Sequence, residues 1–237
     1  MPSRTGLFGT AKRIYRSEGF LPLLRQGFSF VVGLLFFCRT YYVYVDPIEK
    51  LQAPNEAEIM PKIGNHTSKA VSSNEEADDL EAQGFEFRPQ VTNAREMLDE
   101  GAVALCIFVG QELACIEWIA MTQQAYDSLA QPPFSVNFSK KEAWSGGLWT
   151  NPKYRRRGLR GYSSFKTLEF LRQKGIKTTR TAIAKNNIAA QRSRPLFLPG
   201  PCAEGRYLRI LWWKSWRERQ LSIEEQEAIG QINEPHR

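Results

Sequence analysis

A basic, glycine-bearing stretch between two patterned segments is the clearest place in the sequence for chemistry. Residues 153–161 read Lys-Tyr-Arg-Arg-Arg-Gly-Leu-Arg-Gly, after a strand-like segment from Glu142 and before a helical pattern that ends at Lys174. A strand, a glycine-bearing loop and a helix N-terminus together present free backbone N–H groups to a phosphate, and the helix dipole adds to the attraction. The stretch therefore predicts a phosphate-binding loop.

The segments that follow this loop repeat the alternation of strand and helix. Residues 176–183 predict a second strand, and residues 184–190 open another short helix. This order resembles the core of the Gcn5-related N-acetyltransferase (GNAT) superfamily. That family binds acyl-coenzyme A with a signature of Arg or Gln, two residues, Gly, one residue, then Gly or Ala. The matching positions here are Arg155, Arg156, Arg157, Gly158, Leu159 and Arg160, and Asn187 and Ala190 resemble the pair that opens the family's next helix.

The resemblance implies a fold and a reaction class. The fold is α/β, with a mixed, mostly antiparallel central sheet flanked by helices. The reaction is transfer of an acyl group from acetyl-CoA or another acyl-CoA, the co-substrate, to an amine on a small molecule or a peptide. Such an enzyme must hold both reactants, polarise the thioester carbonyl and remove a proton from the amine.

The resemblance also implies which residues would bind the cofactor. The end of the strand before the loop would offer backbone groups to the pantetheine and the thioester, and the loop would hold the pyrophosphate. The implied cofactor-binding residues are Leu148, Trp149, Thr150, Arg155, Arg156, Arg157, Gly158, Leu159, Arg160, Gly161 and Asn187. The alternative is that the arginines form an exposed basic face, that the glycines only permit a tight turn, and that the asparagine is a plain helix cap.

Two carboxylates are candidates for the general base. Glu117 lies between Ile116 and Trp118 in an apolar, strand-like run, where burial would favour its protonated form and so tune it as a base. Glu142 begins the strand that leads to the basic loop. The ordinary alternative for either group is a carboxylate that faces solvent or pairs with an arginine.

The sequence departs from the family pattern at three places. Arg160 stands where the family has Gly or Ala, Arg194 stands where it commonly has the Tyr that protonates the leaving thiolate, and residues 197–201 lack its Gly-Phe. A non-catalytic coenzyme A-binding domain is therefore one alternative. A nucleic-acid binder that uses the basic stripe with Tyr154 and Tyr162 is another, and it is not expected because no nucleic-acid motif accompanies the charge.

Composition supports a globular protein with an anionic ligand. The 237 residues carry a net charge of +7, and five of the eight residues from 153 to 160 are basic. The cysteines and histidines are too scattered for a zinc site or a disulfide framework, so we expect no metal. These residues are Cys38, Cys106, Cys115, Cys202, His66 and His236.

The first forty residues combine six basic groups with a long apolar run and a single acid. Residues 27–38 are almost wholly apolar, but twelve residues of helix reach only about 18 Å, so a membrane-spanning helix is not expected. A cleaved signal peptide is not expected either, because no small-x-small cleavage site follows the run. We expect this basic and apolar helical extension to dock on the domain in a cytoplasmic protein. Peripheral membrane contact through residues 5–38 is the alternative.

The remaining pattern gives a three-part division of the chain. Residues 1–50 form the helical extension and a short β segment, 51–213 the GNAT-like acyl-CoA-binding domain, and 214–237 a polar C-terminal tail that forms a short helix. Within the domain, Ser73 predicts the cap of a helix that ends before Gly84, and residues 102–109 and 113–121 predict a β-hairpin.

Overall fold

The computed structural model describes residues 36–52, 54–129 and 132–233. The strands are β1 (Phe36–Pro47), β2 (His66–Val71), β3 (Val103–Val109), β4 (Glu112–Ala120), β5 (Glu142–Thr150), β6 (Thr178–Ala184), β7 (Ala203–Ile210) and β8 (Trp213–Gln220). They form one sheet in the order β2-β3-β4-β5-β6-β1-β7-β8. Within the described residues, no helix combines the length and apolar character that crossing a membrane requires.

Helices cover the sheet and connect its strands. They are α1 (Glu56–Ile59), α2 (Asn74–Ala82), α3 (Ala94–Asp99), α4 (Gln123–Ser128), α5 (Leu159–Gln173), α6 (Ile188–Arg192) and α7 (Ile223–Asn233). The predicted cap of α2 is present, because the Ser73 side chain accepts a hydrogen bond from the Glu76 amide at 3.1 Å. The predicted hairpin is β3 and β4, which pair antiparallel from Val103 with Ile119 onward.

One pair of strands sets the position of the site. β5 and β6 are parallel, and their pairing covers only residues 142–144 against 178–180. Parallel neighbours need a crossover, and α5 supplies it. All other neighbours in the sheet are antiparallel. The predicted mixed, mostly antiparallel sheet flanked by helices is therefore confirmed, and β5 and β6 separate beyond residue 144.

The sheet buries apolar side chains on both faces. Under α2, α3 and α4 the core contains Phe108, Trp118 and Trp144, while Leu105 and Ile119 belong to a second core with Leu168 and Leu171 of α5. Period-two alternation explains this division, because successive residues of β3 and β4 point to opposite faces. α5 is thereby fixed over the centre of the sheet.

The two ends of the chain differ from the predicted division. β1 is not an appendage, because it lies between β6 and β7 and pairs antiparallel with both. Residues 213–220 form strand β8 rather than part of a polar helical tail, and they pair with β7 along its whole length. Most of β8 is exposed, with only Ser215 and Trp216 half-buried, so its sequence is polar along most of its length. The predicted docking of residues 1–35 lies outside the described residues.

Candidate active site

The connection from β5 to α5 leaves a helix N-terminus open. Gly158 precedes the first residue of α5 with φ of 83°, and no side chain caps the helix. A residue with a Cβ is strained at this φ, which explains the glycine. The Tyr162 amide donates to the Gly158 carbonyl, so the amides before it have no partner in the helix. These amides can bind an anion, as the sequence predicts.

A cavity of about 610 Å³, here called the outer cleft, lies at this helix N-terminus. Its volume is within the range of small-molecule sites. Its lining residues are Leu148, Trp149, Thr150, Tyr154, Arg155, Arg156, Gly158, Leu159, Arg160, Gly161, Asn187, Ala189, Ala190 and Ser193. The structure thus brings together every predicted cofactor-binding residue except Arg157.

Arg157 lies on the far side of the loop. Its side chain is exposed, and its carbonyl accepts a hydrogen bond from the Lys62 amide at 2.8 Å. Arg156, by contrast, has φ of 64° and lines the cleft. Two consecutive arginines therefore differ in whether they line the cleft, and the sequence signature alone does not distinguish them.

A second cavity of about 270 Å³, the inner chamber, lies where β5 and β6 separate. It shares Leu148, Arg160, Asn187 and Ala190 with the outer cleft, so the two cavities adjoin. Both strands supply polar groups to it: Ser145, Thr179 and Thr181 are among its lining residues. A ligand that enters the outer cleft can therefore reach buried polar groups between the two strands.

Glu117 reaches the inner chamber from β4. The pairing of β4 with β5 shifts register between Ile116 and Trp118, and a local kink of this kind re-aims a side chain. The Glu117 side chain is buried, and its Oε2 accepts hydrogen bonds from Ser163 Oγ at 3.2 Å and Thr167 Oγ1 at 3.0 Å. Two small polar residues of α5 thus hold one oxygen of a carboxylate inside an apolar strand.

A buried ion pair lines the same chamber. Arg194 donates to Asp46, and both side chains are more than nine-tenths buried. Burial raises the pKa of Asp46 to about 6, against the opposing attraction of Arg194. Burial also lowers the pKa of Arg194, whose guanidinium lies 4.3 Å from the centre of the Tyr44 ring. Loss of hydration thus outweighs mutual attraction for both charges.

Arg160 occupies the junction of the two cavities. It lines both, and its Nε is buried with no hydrogen-bond partner among the described residues. The family's Gly or Ala position is therefore filled here by a cation at the passage from cleft to chamber. Within the described residues, no group of acids, histidines and cysteines is arranged to hold a metal ion.

Glu142, the second predicted base, is not at either cavity. It begins β5, at the end where β5 and β6 still pair, and its Oε2 accepts a hydrogen bond from the Asn137 amide at 2.7 Å. The carboxylate therefore closes the turn before β5. Glu142 does begin the strand that leads to the basic loop. The two cavities lie along the later part of that strand, at residues 145–150, and not at its first residue.

Sequence reasoning missed Asp46 as a site residue and assigned no role to Arg194. One signal for Asp46 was present: it follows the β-forming run from Tyr41 to Val45, so a carboxylate stands at the end of an apolar strand as Glu117 stands within one. No local pattern in the sequence indicates that Asp46 contacts Arg194, which lies 148 positions away. Their contact depends on β1 entering the sheet beside β6.

Known proteins that resemble this chain do so distantly. No protein-family model matches the sequence, and no curated protein matches it significantly. One similar solved structure is a GCN5-related glucosamine N-acetyltransferase region of a fungal multi-domain β-N-acetylglucosaminidase, at 9% identity and a TM-score of 0.45, covering 66% of this chain and 20% of that one.

Two further solved structures cover more of the chain. A GCN5-related N-acetyltransferase from Sphaerobacter thermophilus is 12% identical with a TM-score of 0.42, covering 84% of this chain and 58% of that one. A tandem GNAT protein from the clavulanic acid biosynthesis pathway is 14% identical with a TM-score of 0.42, covering 84% and 59%. The chain spans less than two thirds of each. All three belong to the family that the sequence resembles, and the similarity assigns neither activity nor substrate to this chain.

Proposed function

We propose that this protein transfers an acyl group, acetyl or longer, from coenzyme A to an amine. One observation carries the proposal: the uncapped N-terminus of α5 opens onto a cleft that continues into a chamber containing a buried carboxylate, Glu117. The cleft has groups suited to phosphates and the chamber has a group suited to removing a proton. The shared lining residues connect the two along one path.

The outer cleft is suited to coenzyme A along its length. The amides at the start of α5, with Arg155 and Arg156, would bind the pyrophosphate. The end of β5, where residues 148–150 no longer pair with β6, would offer backbone groups to the pantetheine. Positioning of this kind supplies roughly 7 to 11 kcal/mol in favourable cases.

The inner chamber would carry out the chemistry. The amine nitrogen attacks the thioester carbonyl carbon, the amine proton passes to Glu117, and the C–S bond breaks to release the thiolate. Glu117 suits this role because Ser163 and Thr167 both bind Oε2, which leaves Oε1 for a substrate. General bases contribute about a hundredfold to ten thousandfold to rates.

One observation favours a second candidate function, coenzyme A binding without catalysis. Arg194, at the position where the family commonly has a proton-donating Tyr, is held by Asp46 and donates from Nε to the Pro199 carbonyl at 3.2 Å. An arginine, which stays protonated in proteins, does not supply the proton that such a Tyr would give to the leaving thiolate. Thiol release from acetyl-CoA in the presence of a panel of amines separates the two candidates, since only the enzyme releases thiol.

The test of the site compares two glycines of one helix. Gly158 and Gly175 flank α5, have φ of 83° and 67°, and a Cβ added at either meets no atom closer than 3.6 Å. Gly158→Val and Gly175→Val therefore cost similar strain, about 1–2 kcal/mol. Only Gly158 belongs to the loop that lines the outer cleft, so only the first variant strains the backbone whose amides open onto it.

Coenzyme A is expected to raise the melting temperature of the wild type and of Gly175→Val by mass action, and not that of Gly158→Val. An equal rise in all three proteins would place the coenzyme elsewhere. Tight binding of duplex DNA with a steep salt dependence, and none of coenzyme A, would instead identify the basic loop as a nucleic-acid site.

A further inference from the structure

One end of the sheet carries a group of exposed apolar side chains far from the site. The β7–β8 hairpin turns through the two residues Leu211 and Trp212, and β1 begins beside it with Phe36 opposite Ile210. Trp212 is 85% exposed and Trp213 is 52% exposed. The aromatic tip is defined as Phe36, Ile210, Leu211, Trp212 and Trp213. It contains five of the nine exposed large apolar residues of the described chain.

The composition of this turn is costly for the fold. Two-residue hairpin turns favour glycine, asparagine and aspartate, which tolerate positive φ. Leu211 has φ of 55°, which strains a residue with a Cβ. Nothing in the fold recovers this cost, because the leucine and the tryptophan beside it face solvent. A contiguous apolar patch of this kind marks an interaction surface.

Basic side chains surround the aromatic tip. The basic ring consists of Arg39, Arg206, Arg209, Lys214 and Arg217, and none of them forms an ion pair within the described residues. The neighbouring segments 36–45 and 205–217 contain no aspartate or glutamate. The surface therefore combines exposed tryptophan with an unneutralised positive charge.

We propose that the aromatic tip and its basic ring dock this protein on an anionic membrane surface. Tryptophan side chains prefer the boundary between headgroups and acyl chains, where the tip would insert. The basic ring would then lie at the level of the phosphates, and each such charge near an anionic surface favours binding by about fivefold. The apolar tip and the basic ring would therefore meet the apolar and the anionic layer of one membrane surface together.

Charge argues against the other occupants of this surface. A second copy docked through the same patch would bring two basic rings together, and like charges repel across such a contact. Residues 1–35 carry Arg4, Lys12, Arg13, Arg16 and Arg25 against Glu18, so they too are positive. A single-stranded nucleic acid would match the charge and could stack on the tryptophans. It would leave Phe36, Ile210 and Leu211 without apolar contact, whereas the acyl boundary of a membrane buries them.

The course of the chain agrees with the proposal. The apolar run of residues 27–38 enters the described structure at Phe36, which is part of the tip. A basic and apolar segment therefore joins the fold at the surface that would face the lipid. The proposal does not depend on acyl transfer, because no residue of the tip or ring lines either cavity.

The experiment is co-sedimentation of the full chain with vesicles. Binding is expected with phosphatidylcholine containing about 30% phosphatidylserine, to weaken between about 0.1 M and 0.5 M salt, and to be weak with phosphatidylcholine alone. The double substitution Trp212→Ser, Trp213→Ser is expected to weaken binding by at least about tenfold. Its matched control is Leu196→Ser, Ile223→Ser, which removes two side chains that are 87% and 75% exposed elsewhere.

A second pair of variants tests the charge. Arg206→Gln, Arg217→Gln is expected to weaken binding by at least about tenfold. Lys140→Gln, Lys174→Gln lowers the net charge equally at exposed positions outside the ring and is expected to have a small effect. Circular dichroism confirms that each variant is folded. Sedimentation of the tip variant equal to wild type would overturn the proposal, as would absence of binding by the full chain.

Two other results would also overturn it and identify the occupant. A wild-type dimer that the tip substitution dissociates, with no vesicle binding, would assign the surface to a second copy. Binding of RNA that is lost with the basic ring, again without vesicle binding, would assign it to nucleic acid. Quenching of tryptophan emission by lipids brominated on their acyl chains, lost in Trp212→Ser, Trp213→Ser, would support insertion of the tip directly.

Discussion

The outer cleft and the inner chamber adjoin, yet they place their charges in opposite environments. Arg155 and Arg156 are exposed to water, where one ion pair contributes at most about 1 kcal/mol. Glu117 and Asp46 are buried, where charges interact strongly and hydration is lost. In the proposed function the cleft would bind by the sum of many weak contacts, and the chamber would depend on a few strong ones. Substitutions in the cleft should therefore change the affinity for the coenzyme. Substitutions in the chamber should change the reaction rate and the pH dependence.

The two regions also differ in how the chain builds them. One stretch, residues 148–161, supplies most of the cleft, and α6 closes it. The chamber gathers Asp46 from β1, Glu117 from β4 and Arg194 from the segment after α6. A phosphate site can be local because backbone amides recognise the anion. A buried site of several charges needs distant elements, because no single strand or helix can enclose them.

The largest effect is expected at the chamber carboxylate. Glu117→Gln keeps the shape and the hydrogen bonds near Ser163 and Thr167 but cannot accept a proton. We expect the rate of thiol release with an amine acceptor to fall by at least about a hundredfold. Coenzyme A binding, measured by calorimetry, should change little because the substitution lies outside the outer cleft.

Glu142→Gln is the matched control for this prediction. It makes the same chemical change at the start of β5, where the carboxylate only binds the Asn137 amide. Its rate should stay within about twofold of wild type, because Glu142 is half-buried and lines neither cavity. If Glu117→Gln kept the full rate, the chamber carboxylate would have no role in the reaction, and the chamber would be only an extension of the binding cleft.

This contrast also explains which parts of the molecule can be predicted from the sequence. The outer cleft follows from local rules: the turn before α5, the glycine at positive φ and the helical spacing from Tyr162 to Leu171 are encoded within about twenty residues. The same holds for the β3–β4 hairpin and the capped α2, which were predicted with nearly their observed bounds. Each depends on contacts between neighbours in the chain.

The parts that the sequence did not reveal depend on long-range pairing. β1 was predicted as a short segment outside the domain, since nothing local tells a strand which neighbours it will join. β8 was predicted as a polar tail, because an exposed edge strand lacks the apolar alternation of a buried one. Without β1 between β6 and β7, Asp46 and Arg194 would not meet. The place of β1 in the sheet and the buried ion pair were therefore unpredicted for the same reason.

The second prediction concerns the pH dependence of stability. Burial raises the pKa of Asp46 from 3.8 to about 6 in the folded protein. The folded state therefore holds this proton more tightly than the unfolded state, and ionisation of Asp46 destabilises the fold as pH rises from about 4 to about 6. Between these limits the free energy of unfolding of the wild type should fall by about 2–3 kcal/mol relative to Asp46→Asn, which cannot ionise there.

Chemical denaturation of both proteins across this pH range measures the difference in slope. Asp46→Asn also leaves Arg194 without its partner, which lowers stability by about 3–5 kcal/mol at every pH. The double variant Asp46→Asn, Arg194→Met removes both charges. Its free energy of unfolding should be as independent of pH over this range as that of Asp46→Asn, and its loss of stability should be smaller. If the free energy of unfolding changed with pH in the same way for wild type and variants, the pKa of Asp46 would not be raised. The chamber would then not differ electrostatically from the cleft.

The smallest effect is expected within the basic loop, where substitutions test the proposed binding contacts of the cleft. Arg156 lines the outer cleft, and its neighbour Arg157 is exposed on the far side with only its carbonyl engaged. Arg156→Met and Arg157→Met each remove one cation, so the overall charge changes equally. Because the lost contact is a solvent-exposed one to a phosphate, Arg156→Met should weaken coenzyme A binding by about fivefold, and Arg157→Met by less than about twofold. Calorimetric titration at low salt resolves this difference, and raising the salt should shrink it. Equal losses in the two variants would show that the loop attracts the coenzyme through its summed field rather than through a built contact.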